Sequence, residues 1–207
     1  MTRLVPLLFA LGVAASGADS ARIIYTKSFP GSTPAYVSIT VDRSGSVAYK
    51  ESADDDPEQF KLNESEASGI FDLAQKLDHF TRPLESGLKV ANMGAKTLRW
   101  ENGAEVGEAK FNYSLDENAK TLYDQFERIT ETERQLLILR RAIRHDKLGI
   151  DEALTNIQSI WDHKRLMGAE QFLPLLDQVA GNDIYMHIAR TRAAELAEAI
   201  RGAKPKA

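Results

Sequence analysis

The sequence predicts an α+β protein: an antiparallel β-hairpin/helix/β-hairpin domain joined by a long helix to a small all-α C-terminal bundle. Three observations predict it. Up to residue 113, apolar and polar residues alternate between short turn signals, the period of half-buried strands. Residues 115–146 contain no Gly or Pro, and Leu115, Ala119, Leu122, Phe126, Ile129, Leu136 and Ile143 follow the spacing of one helix face. Beyond residue 147 only helical periodicity remains. The implied division is a leader at 1–18, an α+β domain at 19–114, a connecting helix at 115–146, a helical domain at 147–202 and a disordered tail at 203–207.

The leader has one basic residue, Arg3, then an apolar run from Leu4 to Ala15 and the small residues Ser16, Gly17 and Ala18. That order is a secretory signal peptide, too short in its apolar part for a permanent span. Cleavage is expected near Ala18, with Ala21 the alternative. The chain has no Cys, so neither a lipid anchor nor a disulfide is expected. The expected product is a secreted or periplasmic protein without stable membrane insertion, held together by burial alone.

The first strand is expected at 22–29, a turn at 30–34 and a second strand from 35. The Asp42-Arg43-Ser44-Gly45-Ser46 connection should pair Val41 with Val47 and Ile39 with Tyr49, placing the apolar side chains on one face. Residues 51–58 (ESADDDPE) read as a solvated acidic loop. They lack the Gly and closing Glu of a calcium loop. A short strand at 59–62 follows. Asn63 with Glu66 forms a capping-box pattern opening a helix over 64–79, striped by Ala67, Ile70, Phe71, Ala74 and Leu77. Asn102-Gly103 predicts a type I′ hairpin over 96–113 that pairs Trp100 with Glu105 and Leu98 with Gly107. Leu98, Trp100, Ala109, Phe111 and Tyr113 then form a dry face, which the 64–79 helix would cover.

Phe29-Pro30-Gly31-Ser32-Thr33-Pro34-Ala35-Tyr36, the alternating Ser38–Asp42 strand, Gly45, Val47 and Tyr49 resemble the opening of a family of secreted bacterial domains of unknown function. That family begins roughly C-F-G-x-C-P-x-Y, and the resemblance covers about residues 28–113. Its two cysteines fall on Phe29 and Thr33 here, so any thiol role in the family is absent from this chain. The resemblance implies a fold and an address, and no mechanism.

Behind the connecting helix, Gly149 is a C-cap candidate. Helices are expected at 150–165, at 168–179 with an interruption or kink at Pro174, and from a cap at Asn182 or Asp183 to Arg201 with Ile184, Ile188, Leu196 and Ile200 inward. The connecting helix has one irregularity. Its stripe meets charges at Glu133 and Arg140, and Thr130 with Glu133 repeats the capping-box pattern. With no Gly or Pro there, the expectation is a helix continuous through Thr130.

Without residues 1–18 the chain carries 25 basic and 30 acidic residues, and the sign changes along it: −8 over 19–133 and +3 over 134–207. Neither half is basic enough for nucleic acid. The four histidines, His79, His145, His163 and His187, have no zinc spacing, and no metal or cofactor is expected. Ser86-Gly87-Leu88-Lys89 matches S-x-x-K without its companion motifs, a chance match. Glu85 and Glu101 are the carboxylates weighed for a paired-carboxylate hydrolase. Arg140, Arg141, Arg144 and Lys147 form the one basic cluster, either a docking patch or a solvated helix end complementing the dipole. The pattern as a whole points to a non-catalytic binding or interaction module of the envelope, partnered by another envelope or secreted protein. The alternative is an unrecognised hydrolase using carboxylates.

Overall fold

A computed structural model describes residues 21–203; the leader at 1–18 and all but the first residue of the tail lie outside the described residues. β1 (Arg22–Ser28), β2 (Tyr36–Asp42), β3 (Ser46–Lys50), β4 (Glu58–Lys61), β5 (Ala95–Asn102) and β6 (Glu105–Phe111) form one antiparallel sheet, ordered β4-β3-β2-β1-β5-β6. The two hairpins are therefore one sheet, joined because β1 pairs with both β2 and β5. The fold is α+β, as the alternation and the helical half require.

The first hairpin has the expected register, with Val41 opposite Val47 and Ile39 opposite Tyr49. The second is shifted by two residues: Asn102 pairs with Glu105, Trp100 with Gly107 and Leu98 with Ala109. The turn is Gly103-Ala104, and of the two only Gly103 has a positive φ, 59°. That is the demand of a type II′ turn, which needs Gly first, whereas type I′ needs positive φ at both positions. A shift of two leaves every side chain on its face. Leu98, Trp100, Ala109 and Phe111 are buried, and Arg99 faces Glu108 at 3.2 Å on the wet side.

α1 (Glu64–Lys76) carries the full capping box: Glu66 N–H donates to Asn63 Oδ1 and Asn63 N–H to Glu66 Oε2. It ends at Leu77, short of the expected residue 79. Asp78, His79 and Phe80 instead take positive φ angles of 51°, 50° and 64°. For non-glycine residues this conformation costs roughly 1–2 kcal/mol each. Burial of Phe80 and stacking of the His79 ring on Trp100 at 4.2 Å offset that cost. Room for the turn comes from Gly107 on β6, where a Cβ would lie 1.9 Å from the His79 carbonyl oxygen.

α2 (Glu117–His145) is one 29-residue helix capped by Asp116, and it runs unbroken through Thr130. Thr130 Oγ1 donates back to the Phe126 carbonyl at 3.1 Å, so it caps nothing. Ala119, Leu122, Phe126 and Ile129 enter a core with the sheet and α1, while Leu136, Leu139 and Ala142 enter a second core. Leu115, read as the first residue of the stripe, precedes the helix and is exposed.

The second core is closed by α3 (Ile150–Asp162), α4 (Leu173–Ala180) and α5 (His187–Gly202). Pro174 kinks nothing. It stands in the first turn of α4, where a missing N–H is harmless, and a 3-10 turn at Ala169–Phe172 precedes it. α5 starts at His187, so Ile184 precedes it, and both Ile184 and Ile188 are exposed. Leu196 and Ile200 are buried as expected. Between α3 and α4, residues 164–168 strap the two halves together. Arg128 donates to the carbonyls of Lys164 and Arg165, Met167 N–H donates to Thr132 Oγ1, and Gly168 N–H donates to Glu66.

Gly107→Ala drives a methyl into the His79 carbonyl. It is expected to lower unfolding free energy by about 1–3 kcal/mol, read by urea denaturation. Gly103→Ala, with no atom within 4 Å of its would-be Cβ, tests turn geometry alone.

Candidate functional site

The loops at 29–35 and 51–57 lie at the same end of the sheet, where α2 leaves it for the bundle. Each loop borders a cleft against a different face of α2. Glu127, Thr130, Glu131 and Arg134 share one face by their spacing of three and four; Glu133, Leu137 and Arg140 share another.

The cleft beside residues 32–34 measures about 370 Å³ and includes Lys27, Glu127, Arg134 and Arg165. Its charges are largely consumed internally. Lys27 Nζ and Tyr25 Oη donate to the two oxygens of Glu127 at 2.6 and 2.8 Å. Arg165 holds Glu131 at 2.8 Å and Asp124 at 3.3 Å. Burial, then the Glu127 carboxylate, pushes the Tyr25 hydroxyl far above its usual range, so Tyr25 is a fixed hydrogen-bond donor. The 29–35 loop contributes Ser32, Thr33 and Pro34 to this wall.

The second cleft, about 350 Å³, lies between the acidic loop and α2 and is lined by Tyr49, Lys50, Glu51, Asp55, Asp56, Glu58, Glu133, Leu137 and Arg140. Pairing of Tyr49 with Glu58 closes the loop's base. Tyr49 Oη donates to Glu51 Oε1 at 2.9 Å, and Arg140 Nη1 lies 3.3 Å from Glu58 Oε2. Glu133 is 6% exposed, and its Oε1 accepts a 2.6 Å bond from Gln171 Nε2 of the bundle. Its Oε2 has no hydrogen-bond partner among the described residues. One turn on, Leu137 is 49% exposed. Burial pushes the Glu133 carboxyl up to about 7; Gln171 and Arg140 pull it down, and Glu58 and Glu51 push it further up. Glu133 is the residue that periodicity read as a failure of the apolar stripe. A carboxylate at a core position between Ile129 and Leu136 was the available signal of a buried acid.

Of the basic cluster, Arg140 is half-buried and turned to Glu58, whereas Arg141, Arg144 and Lys147 are exposed around the end of α2. The cluster is thus divided between the cleft and the helix end. Glu85 and Glu101 do not form a pair: Glu85 accepts the Asn112 and Ser86 N–H groups, and Glu101 is held by Arg22 and Arg99. His163 bonds the Ser159 carbonyl, His79 stacks on Trp100, and His145 and His187 are exposed. Ser86 and Lys89 lie in irregular chain, so no helix sets them one turn apart. Among the described residues, no three His, Asp or Glu side chains are placed to hold a metal ion, and no helix is long and apolar enough to cross a membrane. No protein-family model and no curated protein matches the chain.

A carboxyl held above its unfolded value binds its proton more tightly in the folded state. Its contribution to stability is present below about pH 4.5 and is lost as pH rises through about 7. Relative to Glu133→Gln, the parent protein should lose up to about 3 kcal/mol of unfolding free energy between pH 5 and pH 8. Urea titrations across that range measure it.

Proposed function

We propose that this chain is a secreted or periplasmic binding module without catalytic activity, and that it takes its partner in the cleft between the 51–57 loop and α2. The observation that carries this reading is the pairing on α2 of a half-exposed Leu137 with a buried Glu133 whose second oxygen is unmatched. An exposed apolar side chain beside a tethered carboxylate whose second oxygen is open to the cleft is the composition of a recognition surface. The leader pattern and the resemblance of residues 28–113 support the address. A second reading, a carboxylate hydrolase, is favoured by one feature. Burial pushes the Glu133 carboxyl up to about 7, which suits a general acid.

Site-specific photo-crosslinking in the producing cell separates these from a passive role. A photoreactive residue at Leu137 is expected to give a discrete adduct, and one at Thr97 on the wet face of the sheet is not. Equal labelling at both positions contradicts the binding reading. Turnover of glycoside or ester substrates that vanishes in Glu133→Gln favours the hydrolase.

A further inference from the structure

We propose that the cleft between the acidic loop and α2 binds a primary alkylammonium group on an aliphatic stem, the ammonium at Glu133 Oε2 and the stem along Leu137. This rests on the reading of the same cleft as the binding site and names the chemistry it recognises.

Four observations converge on that ligand. Five carboxylates line the cleft, Glu51, Asp55, Asp56, Glu58 and Glu133, against only Lys50 and Arg140. A cation therefore enters a negative field. Glu133 is not one more surface acid: it is 6% exposed, tethered through Oε1 to Gln171, and its Oε2 is without a hydrogen-bond partner among the described residues. That oxygen is open to the cleft, and an ammonium donor replaces water there with a charge-assisted bond. Leu137 stands one helical turn away on the same face, half-exposed, with room for methylene groups beside it. The chain already places a cation among these carboxylates, since Arg140 reaches Glu58 at 3.3 Å.

A bare divalent ion fits less well. Among the described residues no three carboxylates come together as a shell, and the apolar wall would be wasted on it. The other cleft, beside residues 32–34, is a poorer candidate because Lys27, Glu127, Glu131 and Arg165 already satisfy one another. An alkylammonium could arrive as a free polyamine or as the lysine side chain of a protein. The chemistry at Glu133 is the same for both.

Because Glu133 must be ionised to hold an ammonium, binding should expel its proton. Affinity should fall by up to about tenfold per pH unit below the pH at which Glu133 titrates. Both probes remain protonated across that range.

Isothermal titration of the full mature chain with cadaverine, and separately with an acetylated, amidated tripeptide centred on lysine, tests this at pH 8 and pH 6 in low salt. The expected result is saturable binding of at least one probe, about tenfold tighter at pH 8 than at pH 6. Glu133→Gln should weaken it at least tenfold, while Asp72→Asn, at an exposed carboxylate of α1 outside the cleft, changes it less than threefold. Binding of cadaverine alone assigns a free polyamine, and of the peptide alone a protein lysine. NMR of the Gln171 side-chain amide in the unmodified protein is a readout independent of any variant's folding: its resonances should shift on titration. Absence of binding by both probes, or equal loss in Glu133→Gln and Asp72→Asn, overturns the proposal. A discrete Leu137 adduct with no alkylammonium binding sinks this inference alone. Loss of both sinks the binding reading with it.

Discussion

Everything in this molecule depends on one helix burying two faces in two different cores. Over Ala119, Leu122, Phe126 and Ile129, α2 covers the dry side of the sheet, and Phe126 stacks on Tyr25 of the central strand at 4.7 Å. Over Leu136, Leu139 and Ala142 it is part of the bundle. A rigid rod cannot leave one core without disturbing the other, because each backbone bond along it couples residue i to residue i−4. The acidic loop of the sheet and Gln171 of the bundle therefore meet at Glu133 with fixed geometry. A site assembled from both halves needs that rigidity.

The crossing between the cores is polar, where a simple helix–sheet contact would be apolar. Thr132 and Glu133 are the two buried polar residues of α2, and each is matched from outside the helix, one by the strap and one by the bundle. Thr132 accepts the Met167 N–H, and Glu133 accepts Gln171. Arg128 and Glu66 hold the same strap from α2 and α1. Hydrogen bonds of this kind contribute modestly when made and are costly when broken inside. They fix the angle between the halves more than they add stability. The single incomplete member of the set, Glu133 Oε2, is the one that opens toward the cleft.

The sheet half was legible because its determinants are local. The register of β2 with β3 follows from five alternating apolar residues, and the α1 start from Asn63 and Glu66. The second hairpin was misread by two residues because Asn102-Gly103 and Gly103-Ala104 both satisfy a Gly-containing turn, and strand-length pairing decided between them. The left-handed turn at 78–80 had no sequence signal, since its enabling residue, Gly107, lies on another strand. In the bundle, helix existence was readable, but Pro174 was ambiguous between a kink and a first turn. The candidate site was the least legible part. Glu133 is visible as a charge in an apolar stripe, but its partner Gln171 is 38 residues away and carries no pattern of its own.

Native-state hydrogen exchange tests the shared helix most directly. Amides of Tyr25 in β1 and Leu196 in α5 lie in separate cores joined by α2 and by the strap. If the two cores form one cooperative body, both amides open with the same free energy and the same urea dependence, equal to those of global unfolding. A lower opening free energy and a shallower urea slope at Leu196 would mean that the bundle unfolds by itself, and would contradict the account.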